Sequence, residues 1–324
     1  MFSARSIFGF LFIGLSTYAV RGESLPPPQF ISVPTAHSCL TLCVETNGRV
    51  YQLGYGSINT KHSVPKKMLD REMEFLPAYG NGFILEPAIQ ATHADGNTST
   101  DLIYVSHDAT NVEADITLTR IHLKDRFYPF YVNVYLEAYA KEDVIKMWTE
   151  IRQDEKSDVT LYRFASASPS LKAKEYYLTQ FHGDWAREGE ISEERLTPGL
   201  KILDSKIGVR ASQYRIPSVI LALDGPAKED SGQVFGGSLE WSGSYQLAFD
   251  VDWNNRLRAL AGINPFASQY HLPPEAVLDL PPMLWTWSDH GKGQVSRNFH
   301  DWARRPTWSF VRGKRPWGTQ YFST

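Results

Sequence analysis

Between Tyr245 and Trp253 the chain alternates without interruption. Tyr245, Leu247, Phe249, Val251 and Trp253 fall on one side, and Gln246, Ala248, Asp250 and Asp252 on the other. Successive side chains leave a strand in opposite directions, so a period of two predicts a β-strand with one apolar and one polar face. Turn-forming residues bracket it, Trp241-Ser242-Gly243-Ser244 before and Asn254-Asn255 after. Further on, Leu284, Thr286 and Ser288 alternate with Trp285 and Trp287, a second strand. The period then lengthens. Val295, Phe299, Trp302 and Ala303 recur at helical spacing, which predicts a short C-terminal helix with Ser296 as its N-cap, stopped by Pro306.

The period of two recurs upstream. Residues 39–44 and 50–53, joined across Asn47-Gly48, read as a hairpin, and 54–70 as a long loop. Strand segments follow at 83–85, 89–91, 102–106, 114–123, 130–140, 144–151, 159–165, 176–181, 201–204, 219–223 and 235–241. Strands at roughly ten-residue spacing, with turns between and hardly a helix, predict an all-β fold, a large antiparallel β-sandwich. No repeat, low-complexity tract or linker divides it, so one domain is expected over residues 25–305.

A chain of 324 residues has room for such a domain. Its net charge of −3 gives no pull towards nucleic acid or an anionic membrane. Nine tryptophans suit a large sandwich core or a sugar-stacking surface, and the core reading accounts for most of them. Arg5 precedes an apolar run from Ile7 to Leu15. This pattern predicts a signal peptide over residues 1–22 and a secreted mature protein with no membrane attachment; an uncleaved anchor is the alternative. Cys39 and Cys43 would share a strand face roughly 13 Å apart, too far for a disulfide. Two buried free thiols are expected.

Several runs together resemble a known family. They are Leu76-Pro77-Ala78-Tyr79-Gly80-Asn81-Gly82, Glu86-Pro87-Ala88, Asp95-Gly96-Asn97, Gly183-Asp184-Trp185 and Arg210-Ala211-Ser212. With them go Val234-Phe235-Gly236-Gly237, Gly262-Ile263-Asn264-Pro265-Phe266, Trp287-Ser288-Asp289-His290-Gly291 and Ser296-Arg297-Asn298-Phe299-His300. In this order they resemble the N-terminal β-sandwich, or supersandwich, of glycoside hydrolase family 36, mostly α-galactosidases. One departure is Gln213-Tyr214-Arg215-Ile216-Pro217, where the family shows a polar pair ending in Asn-Pro. The resemblance implies a catalytic (β/α)₈ barrel after the sandwich, which would carry the catalytic aspartates. It also implies packing on that barrel, self-association, and galactoside sugars as ligands. A loop of the sandwich would reach a neighbouring subunit's sugar pocket, with Asp70 as the substrate-binding residue. From the residues alone, Asp70 is one charge in a charged loop.

Other candidate chemistry is weighed against plainer explanations. Asp250 and Asp252 are paired carboxylates of the kind glycosidases use, but a solvated strand face explains them. His182, Asp184 and Trp185 place an imidazole, a carboxylate and an indole together, suited to a sugar; a structural turn with a packed Trp is the plainer reading. His290 and His300 show no metal-ligand spacing, and neither metal nor cofactor is expected. The resemblance stops at Arg304 or Arg305, whereas a barrel needs about 250 residues. Residues 306–324 read as a divergent, disordered tail, and the chain as a truncated product lacking the barrel. The expected function is therefore that of a non-catalytic domain. A working α-galactosidase and a stand-alone carbohydrate-binding module are the alternatives.

Overall fold

A computed structural model describes residues 28–63, 69–187, 189–210 and 214–305. The expected signal peptide and the tail lie outside the described residues. Among the described residues there are three antiparallel sheets. The first joins β1 (Gln29–Pro34), β2 (Ser38–Val44) and β3 (Val50–Ser57) in that order. The second, seven-stranded, runs β13 (Gly199–Ser205), β16 (Tyr245–Val251), β17 (Arg256–Ile263), β9 (Val159–Ala167), β18 (Tyr270–Leu272). Short strands β10 (Ser170–Lys172) and β4 (Ile89–Thr92) pair with β17 and β9.

The third sheet has ten strands. Its path is β12 (Glu190–Leu196), β11 (Tyr176–His182), β14 (Arg215–Leu223), β15 (Val234–Leu239), β20 (Met283–Ser288) and β8 (Val144–Gln153), continuing through β7 (Phe130–Tyr139), β6 (Ile116–Asp125) and β5 (Leu102–Glu113). β19 (Val277–Asp279) pairs with β8. One hydrophobic cluster, including Leu247, Phe249 and Leu257 from the second sheet and Leu221, Phe235 and Trp285 from the third, fills the space between them. Face-to-face sheets whose inward side chains interdigitate are a sandwich, as expected. Among the described residues there is no (β/α)₈ barrel.

Several expectations are corrected. Residues 83–85 form no strand, and the hairpin's second strand continues to Ser57 instead of ending in a loop. β16 stops at Val251, so Trp253 leaves the core face and stands 63% exposed. Both cysteines are free, but only Cys43 is buried; Cys39 is half-buried.

The helix α1 (Gly291–Ala303) starts five residues before Ser296, behind His290. Gly291 adopts φ +73°, and a Cβ there would lie 2.5 Å from the carbonyl oxygen of Lys228. Glycine is a poor helix former, which hides the true start from the sequence. The helix docks on the outer face of the third sheet. Val295 and Phe299 sit over Gly236, where a Cβ would come within 2.3 Å of Val295 Cγ1. Asn298 Nδ2 donates to Thr286 Oγ1 at 2.8 Å, and Trp302 packs on Val144 and Leu284.

Beyond the helix, the same face carries a polar ladder across five strands. His122 Nε2 meets Asp108 Oδ2 at 3.2 Å, and its Nδ1 meets Asn133 Oδ1 at 2.8 Å. Asn133 Nδ2 donates to Glu150 Oε1 at 2.7 Å, and the Tyr135 hydroxyl to Oε2 at 3.2 Å. Glu150 stands directly across the β8–β19 ladder from Asp279. Burial, then the Glu150 carboxylate beside it, raises the Asp279 pKa above its ordinary value. An unfolded aspartate titrates near about 3.9. The folded state therefore holds the proton longer, and this contribution to stability is full below that pH and lost as pH rises through the raised value. Asp279→Asn should stabilise the protein at pH 7 by roughly 0.2–1 kcal/mol, since facing like charges are unfavourable. Urea midpoints between pH 4 and 7 should then diverge from wild type as pH rises; parallel profiles would refute the raised Asp279 pKa.

Candidate functional site

The second face of β16 and β17 is not solvated. The segment 69–88 lies over it and buries a set of charges that the alternation alone would send to water. Asp250 and Asp252 are both buried, which corrects the expected solvated strand face. Asp250 Oδ2 accepts the Glu86 amide at 3.2 Å, and the residue pairs across the ladder with Arg258.

Asp252 organises the β16–β17 turn. Its Oδ1 accepts the backbone amides of Asn254 and Arg256, both at 2.8 Å. Asn255 takes φ +54°, a left-handed conformation that Asn tolerates better than most residues. The second carboxylate oxygen, Oδ2, accepts Arg256 Nε at 2.8 Å. The Arg256 guanidinium then reaches outward, with Nη1 donating to Asp70 Oδ2 at 3.1 Å and Nη2 3.7 Å from Glu72 Oε2. Burial works against its charge, but Asp252, Asp70 and Glu72 more than offset this and raise its pKa.

Arg258 lies deeper. Nη2 donates to the carbonyls of Glu72 at 2.7 Å and Glu74 at 2.8 Å; Nη1 donates to the Ser168 carbonyl at 3.0 Å and hydroxyl at 2.7 Å. Its guanidinium carbon sits 5.4 Å from the Phe83 ring centroid. Burial pulls this pKa down to about 10, still protonated at neutral pH. Next to it, Glu74 accepts Arg49 Nη1 at 3.1 Å, and Arg49 also pairs with Asp101. Arg256, through Asp70 and Glu72, and Arg258, through the Glu72 and Glu74 carbonyls, hold the 3-10 turn Arg71–Met73. Asp70 begins that turn, its side chain 68% exposed and its carboxylate fixed through one oxygen.

Two of the residues singled out from the sequence, Asp70 and Asp252, thus meet on one arginine. Arg256 and Arg258 were not anticipated. The signal was present in Arg256-Leu257-Arg258, where charges alternate with an apolar residue next to a strand. Asp250 and Asp252 do not form an acid–base pair open to substrate. Retaining glycosidases need two carboxyl groups about 5–5.5 Å apart across the scissile bond, whereas these are buried and engaged by backbone amides and arginine.

The other candidates stay apart. His182 ends β11 with Nδ1 3.8 Å from Glu190, and Asp184 accepts the Trp185 amide at 2.7 Å. Trp185 is 84% exposed, so the expected packed tryptophan is corrected to an open turn. His290 pairs with Asp289 and precedes α1, whereas His300 lies within it. Among the described residues, no group of three His, Cys, Asp or Glu side chains could hold a metal. No helix there is long and apolar enough to cross a membrane.

Comparison with known proteins gives this geometry a family. A model described as the glycosyl hydrolase family 36 N-terminal domain matches residues 45–273. Alpha-galactosidase AgaA of Geobacillus stearothermophilus is 29% identical over 250 residues, covering 73% of this chain and 34% of that protein. Alpha-galactosidase 2 of Hypocrea jecorina is 25% identical over 251 residues, 74% of this chain and 33% of that one. The chain thus spans about a third of the length of these relatives. The crystal structure of AgaA superposes with TM-score 0.78 at 23% identity, covering 84% of this chain and 42% of that one. The galactosidase domain of the alpha-galactosidase–sucrose kinase AgaSK gives 0.79 at 22%, covering 85% and 43%. At such identities the structural likeness shows a common fold. With the family model matched over more than half its length, the chain belongs to glycosyl hydrolase family 36, of which it carries the N-terminal domain.

Proposed function

We propose that this chain acts as the non-catalytic N-terminal domain of a secreted α-galactosidase-like glycoside hydrolase. In this role it packs against a catalytic barrel, takes part in self-association, and presents Asp70 to a galactoside in a neighbouring subunit's pocket. The observation that carries the reading is the mounting of Asp70. A buried arginine network holds the 3-10 turn in place and leaves one carboxylate oxygen turned to solvent with no partner among the described residues. A rigid, exposed acceptor suits a sugar hydroxyl, because its orientation is fixed before binding. Export is supported by Arg5 and the apolar run that follows it.

The reading predicts weak galactoside binding without turnover. Calorimetric titration of the purified chain with methyl α-galactoside should detect it, and Asp70→Asn should weaken it about tenfold, the loss of one charge-assisted hydrogen bond. Equal affinity in the two proteins would count against a sugar contact at Asp70.

A further inference from the structure

Trp253 is linked to Asp70 through Asn254 and Arg256. An indole left in water forgoes the favourable burial of a large apolar surface, yet Trp253 is 63% exposed. Nor is it loose. With the Asn254 amide oriented so that its oxygen faces its donors, that oxygen accepts both Trp253 Nε1 and Arg256 Nη2 at 3.1 Å. The other arm of the same guanidinium, Nη1, donates to Asp70 Oδ2 at 3.1 Å. An exposed aromatic and an exposed carboxylate are therefore tied to one guanidinium, Trp253 through the Asn254 amide and Asp70 directly. The backbone beneath is equally fixed, since Asp252 binds the amides on both sides of Asn255.

We propose that Trp253 is a sugar-stacking residue which, with Asp70, forms a two-point binding site for a pyranose. The inference rests on the reading of Asp70 as a sugar contact and adds the aromatic half of the site. The indole covers the apolar C–H face of the ring while Asp70 Oδ1 accepts a hydroxyl. A galactosyl ring suits this arrangement. Its axial O4 leaves C3–H, C4–H and C5–H together on one face, and a glucosyl ring, with equatorial O4, does not present that patch. The geometry needs both groups preorganised, and the Arg256 fork, gripping Asn254 with one arm and Asp70 with the other, supplies this.

The test uses the purified chain, methyl α-galactoside, and methyl α-glucoside as the epimeric control. Saturation-transfer NMR on the galactoside should show strongest transfer at H3, H4 and H5. Trp253→Ala should weaken binding about tenfold, and Trp253→Phe should recover part of that loss. Neither variant should move the thermal midpoint by more than about 2 °C, because little of the side chain is buried. If Trp253→Ala binds like wild type while Asp70→Asn binds weakly, the stacking role is wrong and the Asp70 contact stands. If neither substitution weakens binding, or the wild-type chain shows no saturation transfer, both fail. Equal affinity for the two epimers would overturn the preference for galactose.

Discussion

Arg258→Ala is expected to destabilise the protein by about 3–5 kcal/mol, the range for removing one member of a buried charged pair, here leaving buried Asp250 opposite it on the ladder. The side chain is fully buried and satisfies four oxygens: the carbonyls of Glu72, Glu74 and Ser168 and the Ser168 hydroxyl. Truncation leaves those oxygens in a dry space, and an unpaired buried polar group costs about 1–3 kcal/mol. Arg258→Lys should recover only part of the loss, because a compact ammonium cannot reproduce the planar fork. Arg258→Met keeps volume but supplies no donor, so it should resemble alanine more than lysine. Equilibrium urea unfolding of the three variants orders them. A loss below about 1 kcal/mol for alanine would mean that segment 69–88 is not held by this arginine.

Asp252→Ala is expected to cost about 2–4 kcal/mol, since three hydrogen bonds, one to a buried cation, disappear together. Its effect should be local as well as global. The Asn254 and Arg256 amides lose their acceptor, so hydrogen exchange at the β16–β17 turn should accelerate more than in the core strands. Asp252→Asn retains an oxygen for the turn amides but not the charge facing Arg256, and should fall between. Asp70→Asn is the internal control. That side chain is mostly exposed, and exposed ion pairs contribute about 0–1 kcal/mol. If Asp70→Asn proved as damaging as Asp252→Ala, the division into a buried support and an exposed tip would be wrong.

The sheet architecture was legible because most strands bury one face against the common core, and their alternation survives in Phe130–Tyr139 and Tyr245–Val251. Strands that break this rule were missed. β12 reads Glu-Ile-Ser-Glu-Glu-Arg-Leu and lies at a sheet edge with little burial. β17 reads Arg-Leu-Arg-Ala-Leu-Ala-Gly-Ile and is buried on both faces, so its arginines suggested exposure where the fold supplies partners. The same cause misplaced Asp250 and Asp252. A local period reports which side chains share a face, but only the tertiary contact with segment 69–88 decides whether that face is wet. Asp70 came from the family resemblance and not from its own surroundings. Its partner Arg256 is 186 positions away, a separation no local pattern spans. Trp253 was assigned to the apolar face because the alternation reaches it, yet the Asp252-centred turn ends the strand first.

We propose that Asp250 and Asp252, buried and engaged by amides and arginine, are structural and that this sandwich does not hydrolyse α-galactosides by itself. Hydrolysis of a chromogenic α-galactoside by the purified protein, shown folded by circular dichroism, tests this most directly. The expected result is no release above the buffer rate, in wild type and in Asp250→Asn and Asp252→Asn alike. Turnover by the wild-type chain that is abolished by either substitution would contradict the account and locate an active site on β16.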